Sequence, residues 1–172
     1  MKKIALAMSG ILVAFVGIFV VATTSVKAIE LSDEQEEAIV THCDTIKENL
    51  KNLQHRDSRA RVYLGRHYEI ILNKFITPLN VRMVENNLID DDLINSQTIF
   101  SKTRTNFIID YIEYQKVLEN LVSMDCKNEP AKFYGKLEEA RLKRSVVSKD
   151  VVKLRTLAGE QIELVNALEE TL

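Results

Sequence analysis

Residues 32–76 read SDEQEEAIVTHCDTIKENLKNLQHRDSRARVYLGRHYEIILNKFI. Within this stretch Ile39, Cys43, Ile46, Leu50, Leu53, Asp57, Ala60, Leu64, His67 and Ile71 follow one another by alternating steps of four and three. Such spacing lines one face of a helix and repeats every seven residues. Only Asp57 and His67 are strongly polar members, and the phase does not slip through His55–Ser58, so the pattern predicts one unbroken helix from about Asp33 to Ile76. Ser32 with Gln35 three residues on is a capping-box start, and Asp33 and Glu34 complement the positive end of the helix dipole. At the other end Thr77-Pro78 predicts a break or kink, because proline lacks the amide donor and crowds the preceding turn. The stretch 78–91, with Asn80, Asn86 and Asn87, reads as a hairpin tip with room for a short helix over 79–85.

Two further tracts have the same character. Leu93, Gln97, Phe100, Arg104, Phe107, Tyr111, Tyr114, Leu118 and Leu121 form an aromatic-rich second stripe behind the acids Asp90, Asp91 and Asp92. Asn128-Glu129-Pro130 then supplies a turn with proline in the first helical turn. The third stripe steps through Phe133, Leu137, Ala140, Arg144, Val147, Val151, Leu154, Ala158, Gln161, Val165, Leu168 and Leu172. The predicted helices therefore run over about 33–76, 92–125 and 130–171. With only 5 Gly and 2 Pro in 172 residues, the chain is too poor in turn formers for a sheet protein, and the expected class is all-α with a single core.

The first 28 residues stand apart. Lys2 and Lys3 precede an apolar run over residues 4–22, and Val26-Lys27-Ala28 ends in the small residues of a cleavage site, the layout of an export signal. The run is also long enough to span a bilayer, so the segment is either removed or kept as an anchor, with the Val-Lys-Ala ending favouring removal. Either way residues 29–172 are expected on the outer side of a membrane. Beyond residue 28 the chain holds 20 basic against 25 acidic residues. That balance disfavours nucleic acid, whose binding rests on cationic neutralisation of phosphates.

In an exported chain Cys43 and Cys126 are expected to pair as a disulfide. The pairing serves as a ruler. Were the first helix broken near residue 56, with the chain running up, down and up again, the two cysteines would lie about 25 Å apart along the axis. An unbroken first helix places both at one level, within the roughly 7 Å between Cα atoms that a disulfide allows. The expectation is an antiparallel bundle of three long, coiled-coil-like helices, in which Asp57, Tyr111 and Arg144 reach one level and form a polar layer. Such a layer fixes register more than it stabilises. The competing expectation is that each of the three turns its polar tip separately to water.

No residue constellation points to catalysis, a cofactor or a metal. His42, His55 and His67 are too widely spaced to share a helical turn as zinc ligands, Asp90–Asp92 lacks the alternation and glycine of a calcium loop, and neither Ser58 nor Ser145 has a glycine elbow or a partnered histidine. A basic cluster, His55, Arg56, Arg59, Arg61 and Arg66, offers Arg56, Arg59 and Arg66 for contact with an acidic partner or lipid heads, against the plainer reading of a solvated face.

The segment HRDSRARVYLG over residues 55–65, with KFITPLN over 74–80, resembles a group of uncharacterised exported helical proteins of reduced-genome, candidate-phyla bacteria. The resemblance covers most of the chain beyond the export segment and implies an envelope or cell-surface setting, without activity or catalytic residues. The favoured function is a non-enzymatic structural or protein-interaction module working through its helix faces or its 78–91 tip, with the partner protein unspecified and membrane attachment only through an uncleaved N-terminal segment. The alternative is a chaperone-like or small-ligand-binding bundle that opens to expose Phe100, Phe107 and Tyr114.

Overall fold

The computed structural model describes residues 31–88 and 90–170. The expected export segment, Ile89 and the two C-terminal residues lie outside these. Among the described residues every regular element is helical: α1 (Asp33–Ile70), a π-helical segment (Ile71–Ile76), α2 (Thr77–Glu85), α3 (Asp91–Ser123) and α4 (Pro130–Glu169). Among the described residues no helix is long and apolar enough to cross a membrane.

The helix ends follow local chemistry. The Ser32 hydroxyl accepts from the Gln35 amide while the Gln35 side chain accepts from the Ser32 amide, so two otherwise orphaned donors are satisfied. Asp90 caps α3 by accepting from the Leu93 amide at 3.0 Å. Helix α2 ends at Glu85, and just beyond it the positive φ of 59° at Asn87 lets the Leu88 amide reach back to the Met83 carbonyl at 2.8 Å. That closure satisfies carbonyls the helix leaves open, and asparagine tolerates the left-handed conformation better than most residues. Helix α3 stops at Ser123 because Met124 turns extended. The Asp125 carboxylate then gathers the Lys127 and Asn128 amides, and Cys126 swings into the core.

Rising positions on the first long helix meet falling positions on α3. Cys43 bonds Cys126 with Cα atoms 5.7 Å apart, Asp57 meets Tyr114, Tyr68 packs on Phe100, and Asn80 reaches Leu93. The two helices therefore run in opposite directions. Two clusters fill the space between them and α4. The disulfide end is built on Leu118, Leu121, Cys126 and Phe133, all fully buried. The distal end is built on Tyr68, Phe100, Phe107, Leu154 and Leu157, with Val147 touching both clusters. The stripes predicted on α3 and α4 supply half of the buried residues in these clusters.

On the first helix the expected inner face drifts. His67, expected on it, is exposed and stacks on Tyr63, while Tyr68, Leu72 and Ile76 are buried. Successive steps of four overrun an α-helical turn and would carry these side chains around the cylinder. The π segment, with its longer i→i+5 closure, holds more residues per turn and brings Leu72, Ile76 and Asn80 back to the inside.

The same segment corrects the expected end of the first helix at Ile76. Ile76 and Thr77 keep right-handed helical dihedrals, and the chain stays helical through Pro78 to Glu85. The widened turn absorbs the ring that would clash with an α-helical carbonyl. Behind Pro78 the tip is pinned by polar contacts: Asn80 donates to the Leu93 carbonyl at 3.2 Å and to Gln97 at 2.5 Å, and Gln97 donates to Thr77 at 3.1 Å.

Candidate functional site

The expected polar layer forms, with one change of member. Arg144 donates from Nε to Asp57 Oδ2 at 2.7 Å and from Nη2 to Oδ1 at 3.2 Å. Tyr114 donates its hydroxyl to the same Oδ2 at 2.9 Å. The tyrosine that closes the layer is therefore Tyr114, one turn beyond the expected Tyr111. Tyr111 lines the same small hollow, packs edge-on to Tyr114 and lies beneath the Arg61 guanidinium, 5.6 Å from its ring centre. Its hydroxyl faces Ser58 without closing a hydrogen bond of normal geometry.

The Asp57 side chain is 16% exposed and that of Arg144 is 52% exposed, so the arginine spans from core to solvent. Burial raises the Asp57 pKa, but the hydrogen bonds from Arg144 and Tyr114 and the nearby charges of Arg144 and Arg56 outweigh it and hold the carboxyl below its ordinary value. Burial first, and then donation to Asp57, pushes the Tyr114 hydroxyl well up. An ionised carboxylate engaged on both oxygens ties three helices together.

A second titratable pair lies on the α3–α4 seam, where Asp150 faces Asp110. Burial and the neighbouring carboxyl raise Asp150 to about 6, and its Oδ2 is buried without a partner. Because the folded-state value lies above the unfolded one, the fold binds the extra proton. Stability from this pair is full at acid pH and declines as pH rises from about 4 through about 6. Asp150→Asn is expected to raise the melting temperature by a few degrees above pH 7 and to leave it unchanged near pH 4, as followed by circular dichroism.

Comparison with known proteins supplies no relative. No family model, curated protein or solved structure matches this chain. The outer faces must therefore speak for themselves.

Two of those faces are distinctive. On α1, Arg56, Arg59, Tyr63 and Arg66 follow one another by steps of three and four and share one side of the helix with Val62, opposite the side that carries Asp57 and Leu64. All five are exposed, Val62 at 60% and Tyr63 at 71%. The Tyr63 ring is held by stacking on His67, with centroids 6.3 Å apart. Arg56, Arg59 and Arg66 form no ion pair among the described residues.

The other face was not legible in the sequence. At the distal end a groove of about 520 Å³ opens between the π segment, α2 and α4. Its walls include Ile71, Phe75, Leu79, Ile162 and Val165, with Lys74, Arg82 and Gln161 as polar members. The sequence pattern concealed it because Phe75 and Ile162 belong to no inner stripe. They meet where the π segment lies across from α4.

Proposed function

We propose that this protein is a non-enzymatic interaction module of the bacterial envelope, a three-helix rod of coiled-coil character held outside the membrane and displaying a basic, aromatic stripe to an acidic protein partner. The observation that carries the reading is the α1 stripe. Three arginines without ion pairs flank an outward-standing Val62–Tyr63 pair on a helix whose other side is fixed by the core. Arginine and tyrosine are the residues that interfaces favour as anchors, and clustered positive charge steers an acidic partner. Export through residues 1–28 fits the disulfide, which persists in oxidising compartments. An uncleaved segment would add membrane attachment.

The test is site-specific photo-crosslinking in the native cell. A photoreactive side chain at Val62 is expected to capture a defined acidic partner, and Arg56→Glu, Arg59→Glu and Arg66→Glu together are expected to abolish capture. The same probe at Val152, 59% exposed on α4, serves as the control. Equal capture from both positions, or capture indifferent to charge reversal, would contradict the reading.

A second reading, that of a small-ligand binder, is favoured by the distal groove, whose volume lies in the range of small-molecule sites. A chaperone that opens its core is less well supported. Phe100, Phe107 and Tyr114 are at most 1% exposed, and the disulfide ties α1 to the segment that follows α3.

A further inference from the structure

We propose that the distal groove binds a long-chain carboxylate, its acyl chain laid along Phe75, Leu79, Ile162 and Val165 and its headgroup met by Lys74 and Arg82. Phe75 is 66% and Ile162 61% exposed, and covering apolar surface of this kind is favourable. Both cations line the same groove as these side chains, and neither forms an ion pair among the described residues. Gln161 stands in the groove wall, only 5% exposed, with its amide nitrogen lacking an acceptor. That nitrogen is sealed from solvent, so the headgroup is met by Lys74 and Arg82 alone.

Charge selects the occupant. Across α4 lies a second distal groove, bounded by Ser96, Ile99, Leu157 and Leu164 but also by Asp92, Glu160 and Glu163, with no cation. Only the first groove is electrostatically suited to an anion. The chain's own apolar segment over residues 4–22 is a poor competitor, because the cations Lys2 and Lys3 lead into it. It also joins the bundle at the Ser32 end, about 60 Å from the groove at helical rise. A protein helix needs a contact of roughly 800 Å² on each side, whereas this groove has the volume of a small-ligand site.

The experiment uses the full chain with palmitate bearing a diazirine, irradiated and mapped by mass spectrometry. Labels are expected on the segments containing Phe75 and Ile162 and are expected to be competed by unmodified palmitate. The same palmitate should raise the melting temperature of the wild type. Lys74→Glu with Arg82→Glu should reduce groove labelling about tenfold and remove the thermal shift. Both side chains are exposed, so helicity and the ligand-free melt of this variant should be unchanged. A diazirine-bearing hexadecanol, lacking the carboxylate, should label the groove weakly. Equal labelling by the alcohol would overturn the proposal. So would labelling that survives charge reversal, falls mainly on the acidic groove, or resists competition as a site kept for a protein helix would.

Discussion

Replacing Cys43 and Cys126 together by serine is expected to lower the unfolding free energy by about 4 kcal/mol, because the bridge closes a long loop and its removal restores that entropy to the unfolded chain. The sequence separation is 83 residues. For a domain of this size the loss corresponds to a melting temperature lower by roughly 10–15 °C. The effect should begin locally. Before Cys43 the first helix is held by little besides Leu31 and Ile39, so hydrogen exchange over residues 33–46 should accelerate first, ahead of global unfolding. Wild-type protein melted with reductant should match the serine variant. A melt unchanged by either treatment would mean that packing alone fixes the ends of the bundle.

The next largest effect is expected at Asp57. Asp57→Ala removes the acceptor of Tyr114 and the partner of Arg144 at once. The two losses are unequal. Arg144 is half exposed and can turn to water, so its side of the pair is of modest value. Tyr114 is 1% exposed, and its stranded hydroxyl carries most of a cost of about 2 kcal/mol. Tyr114→Phe deletes the hydroxyl along with its need and should cost about 1 kcal/mol, while Arg144→Met should cost less. The order Asp57→Ala, Tyr114→Phe, Arg144→Met, measured by denaturant titration, is the signature of a layer held from the tyrosine side. A double-mutant cycle of Asp57 with Tyr114 should show coupling, and Tyr111→Phe should be nearly silent. Acid should reproduce part of this loss. The Asp57 carboxyl is held below its unfolded value, so its contribution is present above pH 4 or so and fades as pH falls through the folded-state value.

How far the sequence anticipates this molecule depends on what each feature requires. Ser32, Asp90 and Pro130 announce helix starts through chemistry that acts within one turn, and the structure has helices beginning at Asp33, Asp91 and Pro130. The stripes on α3 and α4 require only a constant period. With Cys43 tied to Cys126 as a ruler, that period places Asp57 and Arg144 together across 87 residues of sequence. What escaped is what depends on a change of period or on lengths finer than a turn. Tyr111 and Tyr114 differ by three residues, about 4.5 Å along a helix axis, which is within the reach of the Asp57 and Arg144 side chains. A level count therefore could not choose between them.

The π segment is the larger gap. A template of threes and fours assigns His67 to the seam along with Ile71, which does pack against the distal cluster, and stops at Pro78. The chain instead widens its turn, buries Tyr68, Leu72 and Ile76, and passes the proline without leaving the helix. The tip network of Thr77, Asn80 and Gln97 follows from that continuation, as does the distal groove. Both are consequences of where a helix goes after its period changes, which no local signal in 78–91 specifies. The α1 stripe is different. Arg56, Arg59 and Arg66 stood out as a cluster, but the exposure of Val62 and Tyr63 beside them needed the inner face to be fixed first.

The Cys43–Cys126 bridge ties the first helix to the end of α3, and such bridges persist in oxidising compartments. Protein recovered from its own cells, alkylated without reduction and digested, should yield the peptide containing Cys43 covalently joined to the one containing Cys126. Recovery of both cysteines as alkylated free thiols would contradict the bundle's register and the proposed compartment together.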